Sequence, residues 1–176
     1  MGRSYPRTRV PAVLATVCVA GLLSFAGCGT KLPATAPARG TVLYRGEPVE
    51  GAVVLFSRGS RNIANGELAI GKTDAKGRFE LTTHVAGEAQ AKGAVAGQYE
   101  VTISKRVPPP GISQSQHQAM VDAANKIGES GAMVPPDKQP PELVEMLPPR
   151  YSVTGQSELK AEVTSKGPND FPFELK

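Results

Sequence analysis

From Gly40 onward, apolar residues recur at every second position in short runs, the spacing that sends one set of side chains to a core and the other to solvent. The clearest runs are Val42 and Tyr44; Val54 and Phe56; Phe79 and Leu81; Tyr99, Val101 and Ile103; Leu159, Ala161 and Val163; and Phe171, Phe173 and Leu175. A seventh is expected over 67–73, where Leu68 and Ile70 alternate. Turn chemistry separates them at Arg45-Gly46-Glu47-Pro48, Asp74-Ala75-Lys76-Gly77 and Lys166-Gly167-Pro168-Asn169. The pattern predicts an all-β fold, a seven-stranded antiparallel β-sandwich over residues 40–176.

The alternation stops over 106–149, where Pro108-Pro109-Pro110, Pro135-Pro136, Pro140-Pro141 and Pro148-Pro149 punctuate the chain. Proline cannot donate to a sheet ladder, and the segment exceeds an ordinary loop, so it reads as a Pro-rich, partly helical insertion. Ser113 is placed to cap a helix whose Ala119, Met120, Ala123, Ala124 and Ile127 share a face, with Gly128 ending it. His117 falls on the polar side of that helix. A second short helix is expected after Pro141, through Leu143, Val144 and Leu147.

The first 27 residues have a different character. Arg3, Arg7 and Arg9 precede an apolar stretch from Val10 to Leu23, with no acidic residue, which is the layout of an export signal. The small residues Ala26 and Gly27 stand before Cys28, and this end resembles the lipobox of bacterial lipoproteins, with Phe25 where that family usually has Leu. The resemblance implies cleavage before Cys28 and acylation of that cysteine, an anchor to which each buried methylene contributes about 0.8 kcal/mol. Gly29, rather than Asp, after the cysteine implies by the same resemblance the outer rather than the inner membrane. Residues 28–39, rich in Ala, Thr, Pro and Lys, read as a flexible tether between membrane and domain.

Removing the signal changes the bulk properties. Of the 20 basic residues three leave with it, so 17 face 16 acidic ones and the mature net charge is +1. No basic cluster remains to attract nucleic acid. Cys18 also leaves, and with Cys28 acylated the folded part has no thiol for a disulfide or a thiolate metal site.

Candidate chemistry is sparse. Gly66-Glu67-Leu68-Ala69-Ile70-Gly71-Lys72-Thr73 matches the phosphate-loop pattern letter for letter, but polar Arg61 and Asn62 precede it and strand-forming Arg78-Phe79-Glu80-Leu81 follows. A phosphate loop needs a buried strand before it and a helix after it, so no nucleotide is expected. His84 and His117 have no partner motif, Gly-x-Ser-x-Gly is absent, and the carboxylates form no calcium loop. No catalytic, cofactor-binding or metal residue is assigned, and Cys28 is the one candidate site, as the lipidation position.

Gly40-Thr41-Val42, the stretch from Gly46 to Phe56, Gly71-Lys72-Thr73-Asp74-Ala75-Lys76-Gly77-Arg78-Phe79 and Gly97-Gln98-Tyr99-Glu100-Val101 together resemble carboxypeptidase-regulatory-like domains, which have a transthyretin-like, Ig-like sandwich. The close, from Pro148-Pro149-Arg150-Tyr151 through Ser157-Glu158-Leu159 to the stretch from Asn169 to Leu175, is similar to the ending of small bacterial lipoproteins of this class. Thr73-Asp74-x-x-Gly77-x-Phe79 is the most specific part. Asp74 can accept from the backbone two residues on, Gly77 can take a positive φ, and Phe79 then enters the core.

The resemblance brings no catalytic residues, so the chain is expected to be a non-enzymatic envelope module. Its insertion would meet a protein partner through Met120, Ile127, Met133, Leu143 and Met146, unless those side chains pack a helix onto the sheet. A carbohydrate-binding module is the alternative, weakened by the absence of Trp. A transthyretin-like hydrolase is more remote, since the histidine and arginine cluster and terminal Tyr-Arg-Gly-Ser of that family are missing.

Overall fold

A computed structural model describes residues 32–58, 68–84 and 90–176. The chain is mostly β, and among the described residues its strands are β1 (Thr35–Ala36), β2 (Ala38–Tyr44), β3 (Glu47–Pro48), β4 (Val53–Ser57), β5 (Leu68–Lys72), β6 (Arg78–Glu80), β7 (Thr82–His84), β8 (Gln90–Lys92), β9 (Ala94–Val95), β10 (Gly97–Ser104), β11 (Arg106–Val107), β12 (Val144–Glu145), β13 (Lys160–Val163) and β14 (Asn169–Leu175). Two helices, α1 (Gln114–Glu129) and α2 (Pro149–Ser152), and a 3-10 turn at Pro136–Lys138 lie between β11 and β13.

Each of the seven expected runs lies in or against a strand, with Leu81 just after β6 and Leu159 just before β13. Among the described residues, seven further strands of two or three residues join them. A six-stranded antiparallel sheet has the order β13-β10-β4-β5-β7-β8, and a second sheet has the order β14-β2-β3, with β6 also on β2. The expectation of antiparallel pairing throughout fails at one place, because β14 runs parallel to β2 in register from Asn169 with Ala38 to Leu175 with Tyr44. The cause is connectivity: β13 belongs to the other sheet, so the chain reaches β14 by a crossover and not by a hairpin that would reverse it.

Ordered pairing also begins earlier than the composition suggested. Thr35 and Ala36 pair with Val95 and Ala94, and Ala36 and Ala38 are buried, so residues 35–39 belong to the β body and not to the tether. Small alanines pack there without the long apolar run that would have marked a strand.

Buried residues of both sheets form one cluster, with Val42 of β2, Val54 and Phe56 of β4, and Val101 and Ile103 of β10 fully enclosed. The Phe56 ring lies 5.3 Å from Phe171 and 6.2 Å from Phe173 of β14, which joins the two sheets. Among the described residues, every buried side-chain polar atom has a hydrogen-bond partner. The Thr73 hydroxyl donates to the Val49 carbonyl at 2.6 Å and accepts from Ala52 N–H at 2.7 Å. Asn169 donates to the carbonyls of Pro37 and Thr164 and accepts from Thr164 N–H, fastening the β13–β14 turn to the start of β2.

The turn before β6 follows its sequence motif. Asp74 Oδ1 accepts from the backbone of Lys76 at 2.8 Å and of Arg78 at 2.9 Å, while Oδ2 takes the Arg78 guanidinium at 2.7 Å. Gly77 has φ +72°, and a Cβ there would lie 2.5 Å from the Val42 carbonyl oxygen. Phe79 then enters the core, 3 % exposed. Hydrogen bonds from the Arg78 side chain, then from its backbone, favour the ionised carboxyl and lower the Asp74 pKa from 3.8 to about 2.

Because the folded-state value is depressed, the turn's stabilisation by Asp74 is fully present above pH 3.8 and is lost as pH falls through about 2. Carboxyl carbon shifts followed by NMR should titrate near that lower value, and Arg78→Ala should return the midpoint toward 3.8.

Candidate functional site

The insertion is built on the far end of β10. Its root is the antiparallel pair β11–β12, with Arg106 opposite Glu145 and Val107 opposite Val144. The Glu145 carboxylate braces this root, accepting from Lys105 N–H at 2.9 Å, Leu147 N–H at 3.0 Å and the Ser104 hydroxyl at 2.6 Å. Leu147 and Tyr151 then drop into the main core, and the Tyr151 hydroxyl accepts from Lys176 N–H at 3.2 Å. The expected second helix through Leu143, Val144 and Leu147 is therefore corrected to a strand followed by a buried anchor. Helix α2 starts at Pro149, with Pro148 as its N-cap, because the fixed φ of proline suits the first helical position.

Helix α1 starts as its sequence dictates. Ser113 Oγ accepts from Gln116 N–H at 3.2 Å and Gln116 Oε1 accepts from Ser113 N–H at 2.8 Å, a reciprocal capping box. The helix runs one residue past Gly128, and Gly131 follows with φ +76°. Its inward face differs from the expected one. His117 and Ala124 are buried, with Val121 and Ile127 half-buried on the same stripe, while Ala119, Met120 and Ala123 face solvent. The cause is a long-range polar contact: His117 Nε2 lies 2.8 Å from the Pro141 carbonyl oxygen, so histidine belongs to the packed side.

Ala124 is not part of the main core cluster, so α1 packs within its own segment rather than closing a sheet. Of the expected contact residues, Met120, Met133, Leu143 and Met146 are exposed, Met133 to 93 %, and Ile127 is half-buried. Val144 and, on neighbouring β4, Val53 are exposed as well. Sequence reasoning missed Glu145 and the His117 contact, since both depend on partners 24 to 41 residues away.

Other candidates are placed differently. Cys28, the lipidation position, lies outside the described residues. His84 ends β7 and His117 sits in α1, on separate elements. Leu68–Lys72 of the phosphate-loop match are strand β5, with the Thr73 hydroxyl committed to Val49 and Ala52. Among the described residues no three His, Cys, Asp or Glu side chains converge as a metal site, and no helix is long and apolar enough to cross a membrane.

A groove of about 530 Å³ lies over the exposed side of β2 and β6. Arg78 pairs with Asp74 at 2.7 Å and Arg39 with Asp170 at 3.4 Å, and the other two charged lining residues, Lys72 and Glu80, are of opposite sign, so no net field is concentrated there. Phe56, Phe79, Tyr99, Tyr151 and Phe173 are buried and Tyr44 and Phe171 half-buried, so none of these rings is open as a stacking platform for a sugar. Burial raises the Tyr99 pKa, and the Arg58 guanidinium, 5.6 Å from the ring centroid, partly opposes that shift. The site that stands out is the exposed apolar surface of the insertion on its braced root. No protein-family model, curated protein or solved structure matches this chain.

Proposed function

We propose that this chain is an exported cell-envelope lipoprotein, held in a membrane by acyl chains on Cys28, whose β body acts as a non-enzymatic module presenting residues 106–149 to a protein partner. The body is a transthyretin-like sandwich of seven principal strands. Gly29 after the lipidated cysteine favours the outer membrane as its address.

The observation that carries the partner reading is the group of exposed apolar side chains on the insertion, Met120, Met133, Leu143, Val144 and Met146, rooted through Glu145 on a rigid strand end. Unbranched methionines adapt to irregular partner surfaces, and apolar side chains grouped on one exposed segment mark contact sites. The anchor reading rests on the sequence from Arg3 to Cys28.

Cys28→Ser should move the protein from the membrane fraction to the soluble fraction, since no acyl methylene then enters the bilayer. Intact-mass measurement of the unsubstituted protein should show a chain beginning at Cys28 with added lipid mass. A Cys28→Ser protein that stays firmly in membranes, or a mature chain beginning at Met1, overturns the anchor. A photo-crosslinker at Met133 in intact cells should capture an envelope protein. Retention on glycan beads with no captured protein would favour the carbohydrate reading instead.

A further inference from the structure

The β body has two distinct ends, and the chain enters at one of them. Thr35 and Ala36 pair with Val95 and Ala94, the Thr35 hydroxyl donates to the Lys92 carbonyl at 2.7 Å, and Asn169 ties the 164–169 turn to Pro37. These contacts put residues 35–38, 92–97 and 164–169 together. Strand β10 starts there at Gly97 and runs to Ser104, where the root of the insertion begins, about 23 Å away at 3.3 Å per residue. Val53 pairs with both Ser104 and Lys72, so Lys72, and Lys76 in the turn after it, mark that far end.

The reach of the tether is what turns this polarity into an orientation. Cys28 and Thr35 are seven residues apart, a span of at most about 25 Å even when fully extended. An entry end tied to an acylated cysteine by this stretch lies at most about 25 Å from the headgroups, so the lipid surface is always within its reach. That end carries exposed Lys92 and Lys166, and exposed Leu32 stands three residues before Thr35 in the chain, two cations and an apolar residue suited to a phosphate-bearing interface.

We infer that the entry end, built of residues 35–38, 92–97 and 164–169, rests against the lipid surface, so that the root of the insertion points away from it toward the partner. This rests on the lipid anchor at Cys28 proposed above.

Lysine footprinting reads the orientation directly. The native protein is added to preformed vesicles of phosphatidylethanolamine and phosphatidylglycerol and treated with a membrane-impermeant amine reagent. Each lysine's rate is compared with that in the unanchored Cys28→Ser chain. Lys92 and Lys166 should react several-fold more slowly on vesicles, while Lys72 and Lys76 keep their solution rates. Equal rates at both ends, or slowing at Lys72 and Lys76, overturns the orientation while leaving the anchor intact. An intact mass without lipid on the same sample removes the anchor and this inference with it.

Discussion

Gly40→Val is expected to destabilise the fold by about 3 kcal/mol, the upper end of ordinary overpacking costs and a large part of the 5–15 kcal/mol that holds a domain of this size. Gly40 lies in β2 between β14 and β6, paired with Phe171 on one side and Phe79 on the other. A Cβ there would fall on the Phe171 carbonyl oxygen and within 2.8 Å of the Phe79 ring. The ring could turn, but the carbonyl belongs to the backbone of the parallel β14–β2 ladder and can move only if that ladder shifts. Urea denaturation should show a lower midpoint with an unchanged slope for whatever fraction folds, or an insoluble protein. Gly128→Val is the matched control, because nothing lies within 4 Å of a Cβ at that helix position and β-branched residues are better helix formers than glycine. Equal midpoints for the two variants would mean that β2 is not clasped between β6 and β14.

That clasp shows what the sequence could and could not convey. The strand positions were legible because β2, β4, β10, β13 and β14 bury alternate residues on one face, and period two survives in the letters. The turn at Asp74–Gly77 was legible because its hydrogen bonds span only two to four residues. Direction was not: an alternating run looks the same whether its neighbour is parallel or antiparallel, so the parallel β14–β2 pair carries no local signal. Two-residue strands such as β1, β9, β11 and β12 are too short to show a period.

The insertion was legible in extent and in its helix cap, but not in its packing. Hydrophobicity put Met120 and Ala123 inward, whereas the His117 contact to the Pro141 carbonyl turned the helix so that they face solvent. A polar residue on a buried stripe is invisible to a count of apolar spacing when its partner lies 24 residues away. The same holds for Glu145, whose carboxylate binds the end of β10 from 40 and 41 residues away. The surface that carries the functional reading was therefore named in the sequence by residue type, and its exposure came only from long-range polar contacts.

Phe56→Ala should be the costliest truncation within the shared core, at about 3–5 kcal/mol. Phe56 is fully buried in β4, between β10 and β5, and its ring touches aromatic neighbours from both sheets. Tyr99 of β10 is 5.6 Å away by ring centroids, and Phe171 and Phe173 of β14 meet it edge-on. Removing the ring empties a volume bounded by strands that are hydrogen-bonded to other partners, so the walls cannot collapse to fill it. Phe171→Ala should cost clearly less, because that side chain is only half-buried. Chemical denaturation of the two variants gives the comparison, and Phe56→Leu, which keeps most of the volume, should recover much of the loss. A Phe56→Ala cost below about 1 kcal/mol would mean that the sheets do not share this core. The consequence reaches the insertion, because β4 pairs with β10 from Ser57 to Val53, and the Ser104 end of that pair is where Glu145 holds the root. A weakened Phe56 contact should therefore raise proteolysis at the 144–151 root in step with global unfolding, because Leu147 and Tyr151 of that root belong to the same core.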